Sequence, residues 1–307
     1  MNKPMMIMMA GLPGSGKSHK AKELAEQYKA NIHSSDSIRE ELSGDVNNQN
    51  INELVFRTLH NRIKEDLRNG KNCIFDATNI SYKVRMSFLQ QLNNISCEKI
   101  CVLMATPYEE CLKRNKQRER KVPEHVIERM YRGFDVPWYY EGWDQIEVEY
   151  ASNSENSLGW AREWIESVKN YKQENKHHTL TLGDHCYQAA KYIVNSVTDA
   201  IDLNALRYAT MLHDCGKPFC KTFKNGKGEI TEQAHYYGHE HVGSYDSLFY
   251  EMTCYQLRVA VLIKWHMQPY YWEKDNNEKL RNKYLNLWGE DLYADIMNLH
   301  KADKDAH

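Results

Sequence analysis

The most constraining feature of this 307-residue chain is the stretch GLPGSGKS at residues 11–18, placed between an apolar run and a helix-like one. It fits G-x-x-x-x-G-K-[ST] in full, with Gly11, Gly16, Lys17 and Ser18 at the defining positions. A loop of this kind turns successive backbone N–H groups inward, and the helix that follows adds the partial positive charge of its N-terminus. A polyphosphate is the expected guest, held by Gly11, Leu12, Pro13, Gly14, Ser15, Gly16, Lys17 and Ser18. The flanks agree with this: residues 5–10 read as a buried strand and HKAKELAEQYK as a helix.

The rest of the first half alternates strand and helix patterns. ANIHSSD reads as a strand ending at Asp36, residues 51–68 as a helix, and NCIFDATN as a strand ending in Asp76. CEKICVLMA and QIEVEY close the series of strands, with a helix from about Pro107 between them. Alternation of this kind predicts a parallel sheet with helices on both faces, and ligands in such sheets sit at the carboxyl ends of the strands. Gly11, Asp36 and Asp76 fall there. The second part changes character. ASNSENSLG is polar and turn-rich, WAREWIESVKNYK is helical, and from about His177 only helical periods are evident. The expected organisation is an α/β domain over 1–150, a linker and connecting helix over 151–176, and an all-α domain over 177–307.

Charge narrows the options. With 40 Lys and Arg against 42 Asp and Glu, the net charge is −2, so any contact with nucleic acid must come from a local patch. Such a patch exists in KRNKQRERK at 113–121. The eight cysteines form no C-x-x-C pair, which argues against a zinc ribbon, and their spacing is not that of a disulfide framework. The N-terminal apolar run is too short to span a membrane and lacks a signal-peptide cleavage region. A cytoplasmic protein that does not engage a membrane is expected.

Asp36, next to the phosphate loop, can accept a proton from an attacking hydroxyl or hold the shell of a magnesium ion; Ser35 or Asp36 can equally cap a helix. Arg39 lies one helical turn on and suits a phosphate by its bidentate geometry. Together GLPGSGKS, SSDSIR, DATN, KRNKQR, VPEHVIERMY and EGWDQI resemble the polynucleotide 5′-hydroxyl kinase family, over about residues 4–150. The resemblance implies ATP and Mg²⁺ as cofactors and RNA or DNA ends as partners. It implies Lys17 at the transferred phosphate, Ser18 at the magnesium and Asp36 as general base on the 5′-hydroxyl. Arg39 then contacts the neighbouring substrate phosphate, Arg114 and Arg118 act from a lid with Arg118 on the γ-phosphate, and Asp76 is a further acid. One departure is plain: the D-x-D-x-T/V motif of the phosphatase domain that follows the kinase in the phage member is missing.

Its place is taken by HHTLTLGDH, YATMLHDCGKP, AHYYGHEHVGS, IKWHM and LHKADKDAH, which hold most of the 14 histidines. Imidazoles and carboxylates in this number suit divalent first-row metals. The order resembles the HD-superfamily phosphohydrolases. By that resemblance His185, His213, Asp214 and Asp303 bind one metal ion, and His239 and His266 add a second. His241 competes with His239 for its place, and Lys217 and His178 serve a phosphate oxygen. One or two ions among Mn, Fe, Ni, Co and Mg fit such ligands. The two resemblances together imply a nucleic-acid (RNA above all) end-healing enzyme that adds a 5′-phosphate and removes the 3′-side phosphate, with a nucleic-acid ligase as functional partner. The alternatives are a small-molecule or nucleoside kinase fused to an HD nucleotidase, and a regulatory NTP switch with an HD nucleotide sensor.

Overall fold

The structure is a computed structural model that describes residues 3–151, 157–175, 179–198 and 200–306. The chain forms two compact units. The first comprises Met1–Met130 and Pro137–Asn153, the second Tyr131–Val136 and Ser154–His307.

The first unit is built on β1 (Met5–Ala10), α1 (Lys17–Tyr28), β2 (Asn31–Ser34), α2 (Ser35–Ser43), α3 (Asn52–Arg68), β3 (Cys73–Asp76), α4 (Tyr82–Gln90), β4 (Glu98–Ala105), α5 (Tyr108–Gln117), α6 (Glu124–Tyr131) and β5 (Gln145–Tyr150). The five strands pair in parallel in the order β2-β3-β1-β4-β5. Both faces of the central strands are covered, which is why MMIMMA is apolar without alternation. Ile7, Met9, Ile74, Ile100 and Val102 face Ala21 and Leu24 of α1. On the opposite face Phe75 meets the rings of Phe56 on α3 and Phe88 on α4. The chain runs from β1 to one edge and returns to place β4 on the other side of β1. That reversal opens a crevice at the carboxyl end of β1, where residues 11–18 lie.

The second unit contains α7 (Ala161–Ser167), α8 (Leu182–Ser196), α9 (Leu203–Leu212), α10 (Lys217–Cys220), β6 (Thr222–Lys224), β7 (Ile230–His235), α11 (His239–Asp246), α12 (Gln256–Trp265), α13 (Gln268–Lys274) and α14 (Glu278–Asp305), the last interrupted at Gly289. Helices α8, α9, α11, α12 and α14 pack on one another through Ile193, Leu206, Val242, Leu262 and Ile296, all fully buried. Trp265, Trp272, Tyr284 and Trp288 form an aromatic cluster where α12, α13 and α14 meet.

Four expectations are corrected. The region after 177 is not all-helical, because β6 and β7 form an antiparallel hairpin. Its turn signal, NGKG at 225–228, was legible, but β7 is mostly exposed and has no apolar face to mark it. The strand before Asp36 stops at Ser34, which is extended and caps α2, so Asp36 lies in the first helical turn. Residues 131–136 pack with the second unit despite preceding β5: the Tyr131 hydroxyl donates to Asp246 at 2.5 Å, and Lys264 pairs with Asp135 at 3.0 Å. The helix expected from WAREWIESVKNYK spans only Ala161–Ser167.

Candidate functional sites

In the first unit the phosphate loop is fixed by its glycines. Gly14 has φ 87°, and a Cβ there would stand 2.4 Å from the Cys111 carbonyl oxygen, so only glycine lets the loop lie against α5. Gly16 precedes α1 with no side-chain cap, which leaves the first N–H groups of the helix facing the crevice. Lys17 is buried and donates to the Leu12 carbonyl at 2.8 Å. Burial pulls its amine down to about 8, partly offset by the charge of Asp76. Ser18 Oγ donates to Asp76 at 2.8 Å. Burial pushes the Asp76 carboxyl up, with Ser18 and Lys17 pulling the other way. Hydroxyl and carboxylate thus offer two hard oxygen donors side by side, the donor type a magnesium ion takes.

Asp36 sits half-exposed at the start of α2. Arg39, buried, donates to it at 3.1 Å and to Asn52 at 2.6 Å. The basic run divides into several roles. Arg114 is held by Glu110 of its own helix at 2.7 Å. Arg118 ends α5, and its charge acts on both Lys17 and Asp76. Arg120, which the sequence reading did not single out, pairs with Asp36 and donates to Asn47 and the Val46 carbonyl. Asn115 was missed as well. Its amide donates to the Val122 carbonyl at 2.8 Å and accepts from the Val122 N–H at 3.0 Å, closing residues 116–121 into a loop. No periodicity distinguishes such an asparagine from a solvated one.

In the second unit the sequence-predicted histidines gather at helix ends. His213 and His266 follow the last turns of α9 and α12, His239 opens α11, and His185 lies in the first turn of α8. Their Nδ1 atoms all lie against main-chain carbonyls: His213 to Thr210 at 2.7 Å, His239 to Tyr236 at 2.8 Å, His266 to Ile263 at 2.6 Å and His185 to Ala306 at 3.1 Å. A carbonyl only accepts, so Nδ1 carries the proton and Nε2 keeps its lone pair. Those lone pairs then face one another, His185 against His213 at 3.1 Å and His239 against His266 at 3.2 Å. Two acceptors at that distance repel unless a proton or a cation lies between them.

Asp214 joins the two pairs. One oxygen lies 3.3 Å from His213 and 3.5 Å from His185, the other 3.2 Å from His239 and 3.9 Å from His266. Asp303 completes the first group at 3.1 Å from His185 and 3.5 Å from His213. Burial opposes the charge of Asp214, but Lys217 and His213 outweigh it and hold the carboxyl well below its usual range. The same contest between burial and Asp214 leaves His213 raised. That proton and a divalent cation compete for one lone pair. His185, His213 and Asp303 form one group able to hold an ion, and Asp214, His239 and His266 another.

His241 points elsewhere, to Asp135 at 3.3 Å. Lys217 lies 2.6 Å from Asp214 and donates to Gln173 at 2.7 Å. His178 lies outside the described residues. Two residues that sequence reasoning missed support the site. Tyr270 donates to Asp303 at 2.9 Å. Gly216 gives α11 room, since a Cβ on it would stand 2.2 Å from the His239 carbonyl oxygen.

Residues 6–137 match the family model described as AAA domain. The first unit carries a kinase-type P-loop domain. Over 149 residues the chain is 34% identical to L-seryl-tRNA(Sec) kinase of Methanococcus maripaludis, an alignment covering 47% of this chain and 58% of that protein. Among solved structures it is similar to a chain of the Pnkp1/Rnl/Hen1 RNA repair complex, with 22% identity and a TM-score of 0.37 over 42% of this chain and 43% of the other. It is also similar to the APS kinase CysC of Mycobacterium tuberculosis, with 16% identity and a TM-score of 0.38 over 50% of this chain and 92% of the other. No helix among the described residues is long and apolar enough to cross a membrane.

Proposed function

We propose that the chain is a bifunctional nucleic-acid end-healing enzyme, an ATP-dependent 5′-hydroxyl polynucleotide kinase joined to a metal-dependent phosphoesterase that acts on 2′,3′-cyclic and 3′-terminal phosphates. The observation that carries the second activity is the convergence of four Nε2 lone pairs and two carboxylates in one buried cluster, reached from five helices or their ends. In the first activity the 5′-oxygen of the acceptor attacks the γ-phosphorus of ATP and the bond to the β-bridging oxygen breaks. Asp36 takes the hydroxyl proton, Arg39 holds the phosphate beside that hydroxyl, and Lys17 and Arg118 stabilise charge on the transferring group. Ser18 and Asp76 would hold the magnesium that accompanies ATP. The similarity to a protein named L-seryl-tRNA(Sec) kinase supports an acceptor hydroxyl carried on RNA.

In the second unit His185, His213, Asp214 and Asp303 would hold one divalent ion, and Asp214, His239 and His266 a second. Such a pair supplies an activated water and neutralises charge on the phosphate. Lys217 keeps Asp214 ionised and in place, and the Tyr270 hydroxyl orients Asp303, whose charge His213 and His185 favour. The matching metals are those that accept neutral imidazole, Mn, Fe, Co and Ni before Mg. A nucleic-acid ligase is the partner that healed ends imply.

One RNA carrying a 5′-hydroxyl and a 2′,3′-cyclic phosphate tests both halves. With ATP, Mg²⁺ and Mn²⁺, mass spectrometry is expected to show a phosphate gained at the 5′ end and the 3′ end converted to a free hydroxyl. Phosphorylation of free nucleosides alone would reject the polynucleotide reading. ATP hydrolysis without transfer would point to the switch.

A further inference from the structure

The metal cluster forms the floor of a cavity of about 590 Å³ whose mouth is aromatic. Of its four tyrosines, the inner two are tied by their hydroxyls, Tyr236 to the Gln173 carbonyl and Tyr270 to Asp303. The outer two, Tyr237 and Tyr271, are about half exposed, at 53% and 54%. Both stand close in sequence to metal-site histidines, Tyr237 two residues before His239 and Tyr271 five after His266. The Tyr237 ring lies parallel to that of His235 at the end of β7, with centroids 5.4 Å apart and planes within 6°, and its hydroxyl meets His235 Nδ1 at 3.3 Å. That contact sets the orientation of an otherwise solvent-facing ring. The cavity is of the size that encloses a small organic group. Among the described residues that line it, Lys217 is the only Lys or Arg, and Asp214 already pairs with it, while Glu240 adds negative charge. The described wall is thus aromatic rather than basic. Flat, exposed rings suit a nucleobase, whose π-face stacks on tyrosine without regard to sequence.

We infer that Tyr237 and Tyr271 form a platform that stacks the terminal nucleobase of the substrate while its phosphate lies at the metal cluster, so that the site takes one phosphorylated nucleoside and leaves the remaining chain outside. This rests on the phosphoesterase reading of the cluster. The hairpin β6–β7 then has a purpose in an otherwise helical unit: it carries His235 and Tyr237 to the rim. The hydroxyl of Tyr271 is not needed for stacking, nor is that of Tyr237 beyond its contact with His235.

The test compares oligonucleotides with a 3′-terminal phosphate that carry either a base or an abasic sugar at the last position. With the parental protein the abasic end is expected to raise KM by about tenfold or more, the scale of one stacked base. In Tyr237→Ala plus Tyr271→Ala that ratio should fall toward one, and in Tyr237→Phe plus Tyr271→Phe it should persist. Equal KM for both ends in the parental protein, or an undiminished ratio in the alanine pair, would overturn the platform. If the parental protein cleaves neither end, the phosphoesterase reading fails on its own. The platform is then judged by calorimetric binding of uridine 3′-monophosphate to the Mn²⁺-loaded protein. Weaker binding in the alanine pair alone supports it, and equal binding in all three proteins overturns it. A mononucleotide bound as tightly as an oligonucleotide end would identify a free nucleotide, rather than a polynucleotide end, as the source of the stacked base. Circular dichroism and metal content of each variant separate loss of stacking from loss of folding.

Discussion

Ser18 Oγ and Asp76 Oδ2 are 2.8 Å apart, although 58 residues separate them in the chain. The parallel sheet produces this contact. β1 and β3 are adjacent and in register, so the loop that leaves β1 delivers the first turn of α1, which holds Ser18, to the last residue of β3. Lys17, next to Ser18, feels the Asp76 charge but is buried enough for its amine to fall to about 8.

A pH dependence of nucleotide binding follows. A polyphosphate favours the charged amine, so ATP binding should draw a proton onto Lys17 when the pH stands above 8, and affinity should decline as the pH rises through that value. The linkage to folding has the opposite sign. An amine whose folded pKa is depressed costs stability while it is charged, so the nucleotide-free first unit should gain stability as pH rises from about 8 toward the unfolded value near 10.4. Calorimetric titration of ATP in buffers of different ionisation enthalpy reads the proton uptake directly. Lys17→Met should abolish the uptake along with most of the affinity; uptake that survives the substitution would assign the proton to another group.

Arg120 is expected to matter for the acceptor and not for ATP. It pairs with Asp36, and its contacts to Asn47 and Val46 tie the loop after α5 to the segment after α2. Arg120→Ala should lower kcat/KM for a 5′-hydroxyl oligonucleotide by about tenfold, on the order of 1.4 kcal/mol in transition-state stabilisation. KM for ATP should stay near the parental value. Arg118→Ala removes charge near Lys17 and should lower kcat by a further order of magnitude, about 10²-fold overall. Steady-state kinetics with each substrate varied in turn distinguishes the two arginines, and a raised KM for ATP in Arg120→Ala would sink the assignment.

Much of the first unit was legible because its signals are local. A glycine loop between an apolar run and a helix, and Asp76 at the end of a strand, follow from local pattern. Asp36 falls in the first turn of α2 and not at a strand end, because Ser34, Ser35 and Asp36 can each start a helix, and Ser34 takes the cap position. The pattern GHE-x-x-G favours His239 over His241, but spacing alone separates the two weakly, since both lie in the first turn of α11. In the fold the Tyr236 carbonyl holds the ring of His239 toward Asp214, while Asp135, from a segment more than 100 residues earlier, pairs with His241. Contacts of that range leave no local pattern, and the same is true of Asn115, Arg120 and Tyr270.

The EGWD segment is explained by a buried ion pair. Arg85 and Glu141 are fully buried and meet through two hydrogen bonds of 2.7 and 2.6 Å. Arg85 also donates to the Asn79 carbonyl, and Trp143 donates to Glu141 at 3.0 Å. Removing one partner strands the other charge, so Arg85→Ala or Glu141→Ala should each destabilise the first unit by about 3–5 kcal/mol. The double variant should lose less than the sum of the two, because the second removal leaves nothing stranded. Denaturant unfolding followed by tryptophan fluorescence measures this, and strict additivity would mean that the pair is not a coupled unit.

Metal stoichiometry is the strongest test of the second unit. Six side chains form two groups that share Asp214, and in each group the Nε2 atoms approach within about 3.2 Å, a distance that calls for a proton or a cation between them. The protein loaded with Mn²⁺ and freed of excess should therefore hold two ions per chain. His239→Ala plus His266→Ala should hold one, because the group of His185, His213, Asp214 and Asp303 remains whole. His213→Ala removes a ligand at the centre of the first group and should abolish phosphoesterase activity while leaving the kinase intact, since Lys17, Asp36 and Arg39 belong to the other unit. A chelator should act in the same way, with kinase activity restored by Mg²⁺ alone and phosphoesterase activity restored only by a metal that accepts imidazole. Atomic absorption on the purified variants reads the count. A parental protein that binds a single ion, or a double variant that still binds two, would show that the shared carboxylate does not bridge a pair.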